Sequence, residues 1–449
     1  MSAPLQPIII RGRYLWQGQK RFIVRGVVYQ DNALDRQPYD PITDEELPRL
    51  QHDVALFKEL GVNTILVYQI DSSKPHAQAM RLLEEAGIYV LIQAYPPLRG
   101  INRFDPYGSY NAENVQSYFK TIDLMASFPN TLGAFVAQTL INQSMDDAAS
   151  RDCALVIAAV LRDVKKYMHL KDQTRGQRIL PIAYGADNDG FRDKQIFEFL
   201  HTREPSERID FWTFTKYTWN TTSSTSQTES SSDLTTPFTH TTIPIFLSEY
   251  SSKFPSPPPV EPSQDPNSPP SLSSSATKTL LTSPTTHHFS GGCLYEFNHS
   301  VNNYGLVRLL PNTPTQIPGF QHGFQGSNIE TERQNAVEQR QTGLGTVLIM
   351  QDFVDYRETL RELREEIERV ESSDISNEAE AEERGSRSNS EGVRGTGIGG
   401  PRPSGVTSSA VPHAMPEQGE NSSFRITGEV PESCIDWESE GSRMESEAG

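Results

Sequence analysis

The chain has 449 residues, a formal net charge of −18 and a mean hydropathy of −0.53, with 35% hydrophobic residues. That apolar content is thin for a chain folded throughout, so part of it is expected to lie outside any packed core. The acidity is concentrated at one end: residues 326–449 carry 26 Asp and Glu against 12 Arg and no Lys, the opposite of the basic footprint that nucleic-acid binding needs.

From the N-terminus, "RYLWQGQKRFIVRG" predicts a hairpin turning at residues 17–19. Eight short apolar runs follow, at 24–30, 63–70, 88–94, 130–138, 179–186, 209–217, 243–250 and 291–297. Helical patterns lie between them. Leu50, Val54, Phe57 and Leu60 share one face ahead of a stop at Gly61, "HAQAMRLLEEAG" repeats the device, and residues 146–168 form the longest such stretch. Eight strands alternating with helices in about 300 residues predict an α/β fold of the (β/α)8 TIM-barrel class, with its site at the C-terminal ends of the strands.

Ser/Thr/Pro-rich insertions interrupt the pattern at about 220–242 and 251–288, where "SATKTLLTS" is the one weak helical candidate after strand seven. The predicted organisation is therefore a barrel over 1–310, a linker over 311–350, an amphipathic helix over 351–371 and a disordered acidic tail over 372–449. In the helix, Phe353, Tyr356, Leu360, Leu363, Ile367 and Val370 step by three and four, too briefly for a coiled coil. It serves either as a helix docked on the barrel or, with the tail, as a surface for a protein partner.

Cys153, Cys293 and Cys434 match no metal spacing, and no cofactor motif stands out. No run is long enough to span a bilayer. The start, "MSAPLQPIIIRGRYLWQGQK", lacks the apolar segment of a secretory signal, and the end, "ESEGSRMESEAG", lacks an anchor tail. A cytoplasmic location is expected, with the cell surface as the alternative if the N-terminus is incomplete.

The predicted strand ends gather Gln30, Tyr68, Gln138, Thr139, Tyr217, Glu249 and Tyr295. Aromatic rings beside amides and a carboxylate suit a carbohydrate, because rings stack on sugar C–H faces while polar groups take the hydroxyls. Glu249, at the end of "PIFLSEY", is placed to act as a nucleophile. A retaining glycosidase needs a second carboxyl group roughly 5–5.5 Å away. The natural place for it is strand four, which ends "AQTLIN".

The stretches "RFIVRGVVYQ", "HDVALFKELGVNTILVYQID", "INRFDP", "PNTLGAFVAQTLIN", "IDFWTFTKYTW", "PIFLSEY" and "SGGCLYEFNHSVNNYGLV" resemble, in order and spacing, the fungal β-1,3-glucanosyltransferases of glycoside hydrolase family 72. The resemblance implies a barrel that cleaves and rejoins β-1,3-glucan, with Glu249 at the nucleophile position. It places the general acid/base on Thr139 and that residue's asparagine neighbour on Gln138, both substituted. It puts a family arginine at Leu66 and sugar-binding roles on Gln30, Tyr68, Asp105, Tyr217 and Tyr295. Family half-cystines would fall near Leu50 and Ala79, at Asn220 and at Ser251 or Ser252, where this chain has none. The expectation is a catalytically impaired member that keeps β-glucan binding. The alternatives are an active transglycosylase using Glu296 or Asp105 as the acid, or a non-catalytic scaffold.

Overall fold

The computed structural model describes residues 5–30, 39–96, 99–188, 191–217, 238, 240–251, 272–299, 304–312, 329–373 and 424–448. An antiparallel sheet comes first: β1 (Ile8–Arg11), β2 (Tyr14–Gln17) and β3 (Lys20–Arg21). Its Ile8 and Leu15, with the following Phe22, pack with Val24, Leu132 and Phe211 of the barrel interior, so the hairpin plugs one end of the barrel.

The barrel is closed and parallel. Its strands are β4 (Val24–Val28), β5 (Thr64–Val67), β6 (Tyr89–Gln93), β7 (Thr131–Gln138), β8 (Ile182–Ala186), β9 (Phe211–Lys216), β10 (Ile245–Tyr250) and β11 (Gly291–Leu294), with β11 pairing back to β4. Each is apolar on both faces because one face meets the interior and the other meets helices. These are the eight predicted strands, each shortened by one to four residues in all.

The helices are α1 (Leu47–Leu60), α2 (Ala77–Glu85), α3 (Pro106–Ser109), α4 (Ala112–Ala126), α5 (Asp147–Arg175), α6 (Phe191–His201) and α7 (Leu272–Leu281). Gly61 ends α1 with φ +84°, a conformation that favours glycine. The Ser/Thr-rich stretch after β10 does supply its helix, since α7 covers residues 275–281 of the weak candidate at 275–283 and buries Ala276, Leu280 and Leu281.

Beyond the barrel the structure departs from the sequence reading. Residues 311–350, expected to be a linker, contain parts of a three-stranded sheet ordered β12 (Val307–Pro311), β14 (Gly345–Ile349), β13 (Glu338–Gln341), with helix α8 (Ile329–Asn335). The signal was weak because β13 reads Glu-Gln-Arg-Gln and is mostly exposed. The expected 351–371 helix breaks at Leu363 into α9 (Gln351–Glu362) and α10 (Arg364–Ser372).

Phe353, Tyr356, Leu360, Leu363 and Ile367 are buried against the barrel, and the Tyr356 hydroxyl donates to the carbonyl of Gly26 at 3.0 Å. Helix α9 packs between α1 and α7 and so fills the eighth helical position. Its apolar face is therefore not available to a separate partner. In the predicted tail, residues 374–423 lie outside the described residues, but 424–448 are docked on the barrel and end in helix α11 (Trp437–Ala448). Ile435 and Met444 are buried there, which a reading from overall acidity overlooks.

Candidate functional site

The site is built by two irregularities in the barrel. In β10, Leu247 and Tyr250 both pack outward toward the helices while Phe246 faces the interior. Strict alternation would send Glu249 outward with Leu247. The register against β9 shifts between Leu247 and Glu249, and the extra residue turns the carboxylate inward. Strand β7 repeats the device between Phe135 and Ala137: Val136 and Ala137 both face outward, and Gln138 turns in.

Gln138 and Glu249 consequently meet. The Gln138 amide donates to Glu249 Oε1 at 2.6 Å, the Tyr68 hydroxyl donates to the same oxygen at 2.5 Å, and the Tyr217 hydroxyl donates to Oε2. Glu249 is 7% exposed. Burial pushes its carboxyl above the usual carboxylate range; the two tyrosine hydrogen bonds oppose this, and the charge of Asp187 adds to it. Leu66, at the position the family resemblance assigns to arginine, is buried in the apolar interior of the barrel. Burial and the adjoining carboxylate hold the Tyr68 and Tyr217 hydroxyls protonated as donors.

A cleft of about 320 Å³ opens above this group, lined by Tyr68, Gln69, Gln93, Gln138, Thr139, Glu249 and Tyr295. Tyr217, Tyr295 and Tyr304 form a triangle of rings on one side, with centroids 5.4 to 5.9 Å apart. Thr139 sits at φ +47°, unusual for a β-branched residue. Its N–H donates to the Gly185 carbonyl at 2.8 Å and its carbonyl accepts from Arg103 at 2.8 Å.

Three expected substrate-binding residues are not part of this lining: Tyr217 touches Glu249 from beside it, and Gln30 and Asp105 lie away from the carboxylate. Gln30 is buried behind it, donating to the Tyr39 carbonyl at 2.9 Å and accepting from the Tyr68 N–H at 3.2 Å, so it holds Tyr68 in place. Asp105 is exposed and caps α3 through the Gly108 N–H at 3.0 Å. Of the expected substitute acids, Glu296 is fully buried outside the cleft lining, as Asp105 is outside it on the surface. Asp187, just past the end of β8, is likewise outside the lining, though its charge adds to the upward shift of Glu249. Gln69, Gln93 and Tyr304 escaped the sequence reading. Their amide and phenol groups at strand ends or in a nearby loop were the available signal.

Residues 1–325 match the sequence profile of the glucanosyltransferase family, glycoside hydrolase family 72. The chain belongs to that family. It is 33% identical over 314 residues to the 1,3-beta-glucanosyltransferase gel1 of Aspergillus fumigatus, covering 70% of this chain and 64% of the relative. It is 31% identical over 318 residues to the 1,3-beta-glucanosyltransferase GAS5 of Saccharomyces cerevisiae, covering 70% and 60%. The chain thus spans less than two-thirds of the length of these curated relatives.

Its fold is similar to that of Saccharomyces cerevisiae Gas2p solved as a mutant with laminaritetraose and laminaripentaose, with a TM-score of 0.61 and 24% identity over 80% of this chain and 68% of that one. Family membership overturns the cytoplasmic expectation, because the family points to the cell surface. Among the described residues, no helix is long and apolar enough to cross a membrane.

Proposed function

We propose that this glucanosyltransferase-family barrel binds β-1,3-glucan oligosaccharides in the cleft over Glu249 but is impaired in cleaving and rejoining them. The observation that carries the proposal is that Glu249 is the one carboxylate among the described residues lining the cleft, with Thr139 at the rim position opposite it. Retaining transfer needs two groups. A carboxylate attacks the anomeric carbon, and an acid gives a proton to the departing sugar oxygen, then takes one from the acceptor hydroxyl.

Glu249 has the hydrogen bonds to serve as the first group. Tyr68 and Tyr217 orient both oxygens, and Gln138 supplies a donor that a substrate hydroxyl displaces or shares. A threonine hydroxyl is far too weak an acid to be the second. Loss of a general acid/base slows reactions about 10²–10⁴-fold, or about 3–5 kcal/mol of barrier. The tyrosine triangle supplies flat apolar faces for sugar rings.

The charge of Asp187 acting on Glu249 favours a second reading, in which Asp187 replaces the missing acid and the chain is active. Incubation with laminari-oligosaccharides, followed by mass spectrometry, separates the two. An unchanged length distribution together with calorimetric binding supports the impaired reading. Longer and shorter products overturn it, and their loss in Asp187→Asn identifies the substitute acid.

A further inference from the structure

We propose that the outer face of α4 and α5 is a recognition site for the chain's own acidic C-terminal segment, residues 424–448, and that its occupancy positions the rim loop 99–110 beside the cleft. The segment follows 50 residues of Ser-, Gly- and Glu-rich sequence after residue 373 and carries seven acidic residues against two arginines. The surface it meets is basic. Arg151 donates to the Arg425 carbonyl at 3.0 Å, Arg162 donates to the Pro431 carbonyl at 2.8 Å, and Arg175 pairs with Glu447 at 2.9 Å. Lys166 stands 4.4 Å from the centre of the Trp437 ring.

Apolar anchors lie between these polar contacts. Phe424, Ile435 and Met444 are buried, and Trp437 packs near Phe119 of α4. Gly428, at φ +120°, lets the backbone approach α5 so closely that a Cβ there would stand 3.1 Å from Leu155. One ion pair, two arginine bonds to backbone carbonyls and the close shape of the segment therefore fit it to this face.

The contact reaches the cleft through a buried polar cluster. Asp163 of α5, fully buried, accepts from the Tyr110 hydroxyl and from Ser433 Oγ at 3.1 Å; Ser433 Oγ in turn accepts from the Trp437 indole at 2.8 Å. Arg162 donates to the Tyr110 hydroxyl at 3.0 Å. Tyr110 ends the loop that carries Arg103, and Arg103 holds the carbonyl of Thr139 on the cleft rim. Removing the segment takes one donor from Asp163 and uncovers Tyr110, loosening the loop at its far end.

The test uses the full chain with a protease site introduced near residue 400 and cut after folding. The fragment containing 424–448 should co-elute with the barrel on gel filtration at micromolar concentration. In the cut Ser433→Ala/Trp437→Ala protein it should separate. Hydrogen exchange of residues 99–110 should then rise at least tenfold while the amides of β4 to β11 stay unchanged. Separation of the fragment from the cut parent overturns the recognition site. Unchanged exchange at 99–110 after separation overturns the positioning role. A dimeric uncut chain that becomes monomeric on cutting assigns the segment to a second copy and overturns docking within one chain.

Discussion

Gln138 and Glu249, on strands three places apart in the barrel, face each other across a 2.6 Å hydrogen bond because β7 and β10 each carry one extra residue just before them. The acid expected beside Gln138 is a threonine whose backbone already has the left-handed turn of the rim.

The double change Gln138→Asn with Thr139→Glu should create or strengthen transglycosylation of laminari-oligosaccharides. A gain on the order of 10²-fold in product formation, read by mass spectrometry, is expected from restoring an acid/base. No gain would mean that other parts of the site, Leu66 first, also limit the reaction.

Glu249→Gln should raise thermal stability at neutral pH while abolishing any residual turnover. Burial raises the folded carboxyl pKa above its unfolded value, so the folded state favours the protonated form. That stabilisation is fully present below about pH 4.5 and is lost as pH rises through the folded pKa. The melting temperature of the variant should exceed the parent's at pH 7, and the gap should close toward pH 4.

Tyr295→Ala should weaken oligosaccharide binding by up to about tenfold, the value of one lost ring face, with little effect on melting. Tyr295 is only part-buried at the cleft wall, so calorimetry on the variant separates a binding surface from a folding element.

The His76 to Asp40 pair, 2.7 Å apart and buried, ties the loop after β5 to the segment before α1. The hydrogen bond and charge of Asp40 outweigh burial and raise the His76 pKa above 6.5. Its contribution to stability is fully present below pH 6.5 and is lost as pH rises through the higher folded value. Denaturant melts should show that fall in the parent, and His76→Gln should flatten it while costing about 1–3 kcal/mol at pH 6.

Phe353→Ala should destabilise the barrel by about 3–5 kcal/mol in urea titrations, because the ring is wholly buried beneath α9. Arg364→Ala, on the exposed side of α10, should stay within about 0.5 kcal/mol. Equal small effects at both positions would contradict the role of α9 as the eighth barrel helix.

Periodicity and local chemistry in the sequence determined much of this protein. The eight apolar runs, the helix stop at Gly61 and the cluster of Tyr68, Gln138, Tyr217, Glu249 and Tyr295 at strand ends were all legible, since burial on both faces and strand polarity leave a direct imprint on residue order. Only the tertiary structure decided which of these side chains meet. Side-chain alternation points Glu249 away from the interior, and the bulge that reverses it exists only in the pairing with a neighbouring strand. Gln30 and Asp105 left the cleft for similar reasons: backbone groups at Tyr39, Tyr68 and Gly108, invisible in residue order, engage their side chains first. The acidic end was also misread, because its few apolar anchors gain meaning only against the complementary surface of α4 and α5.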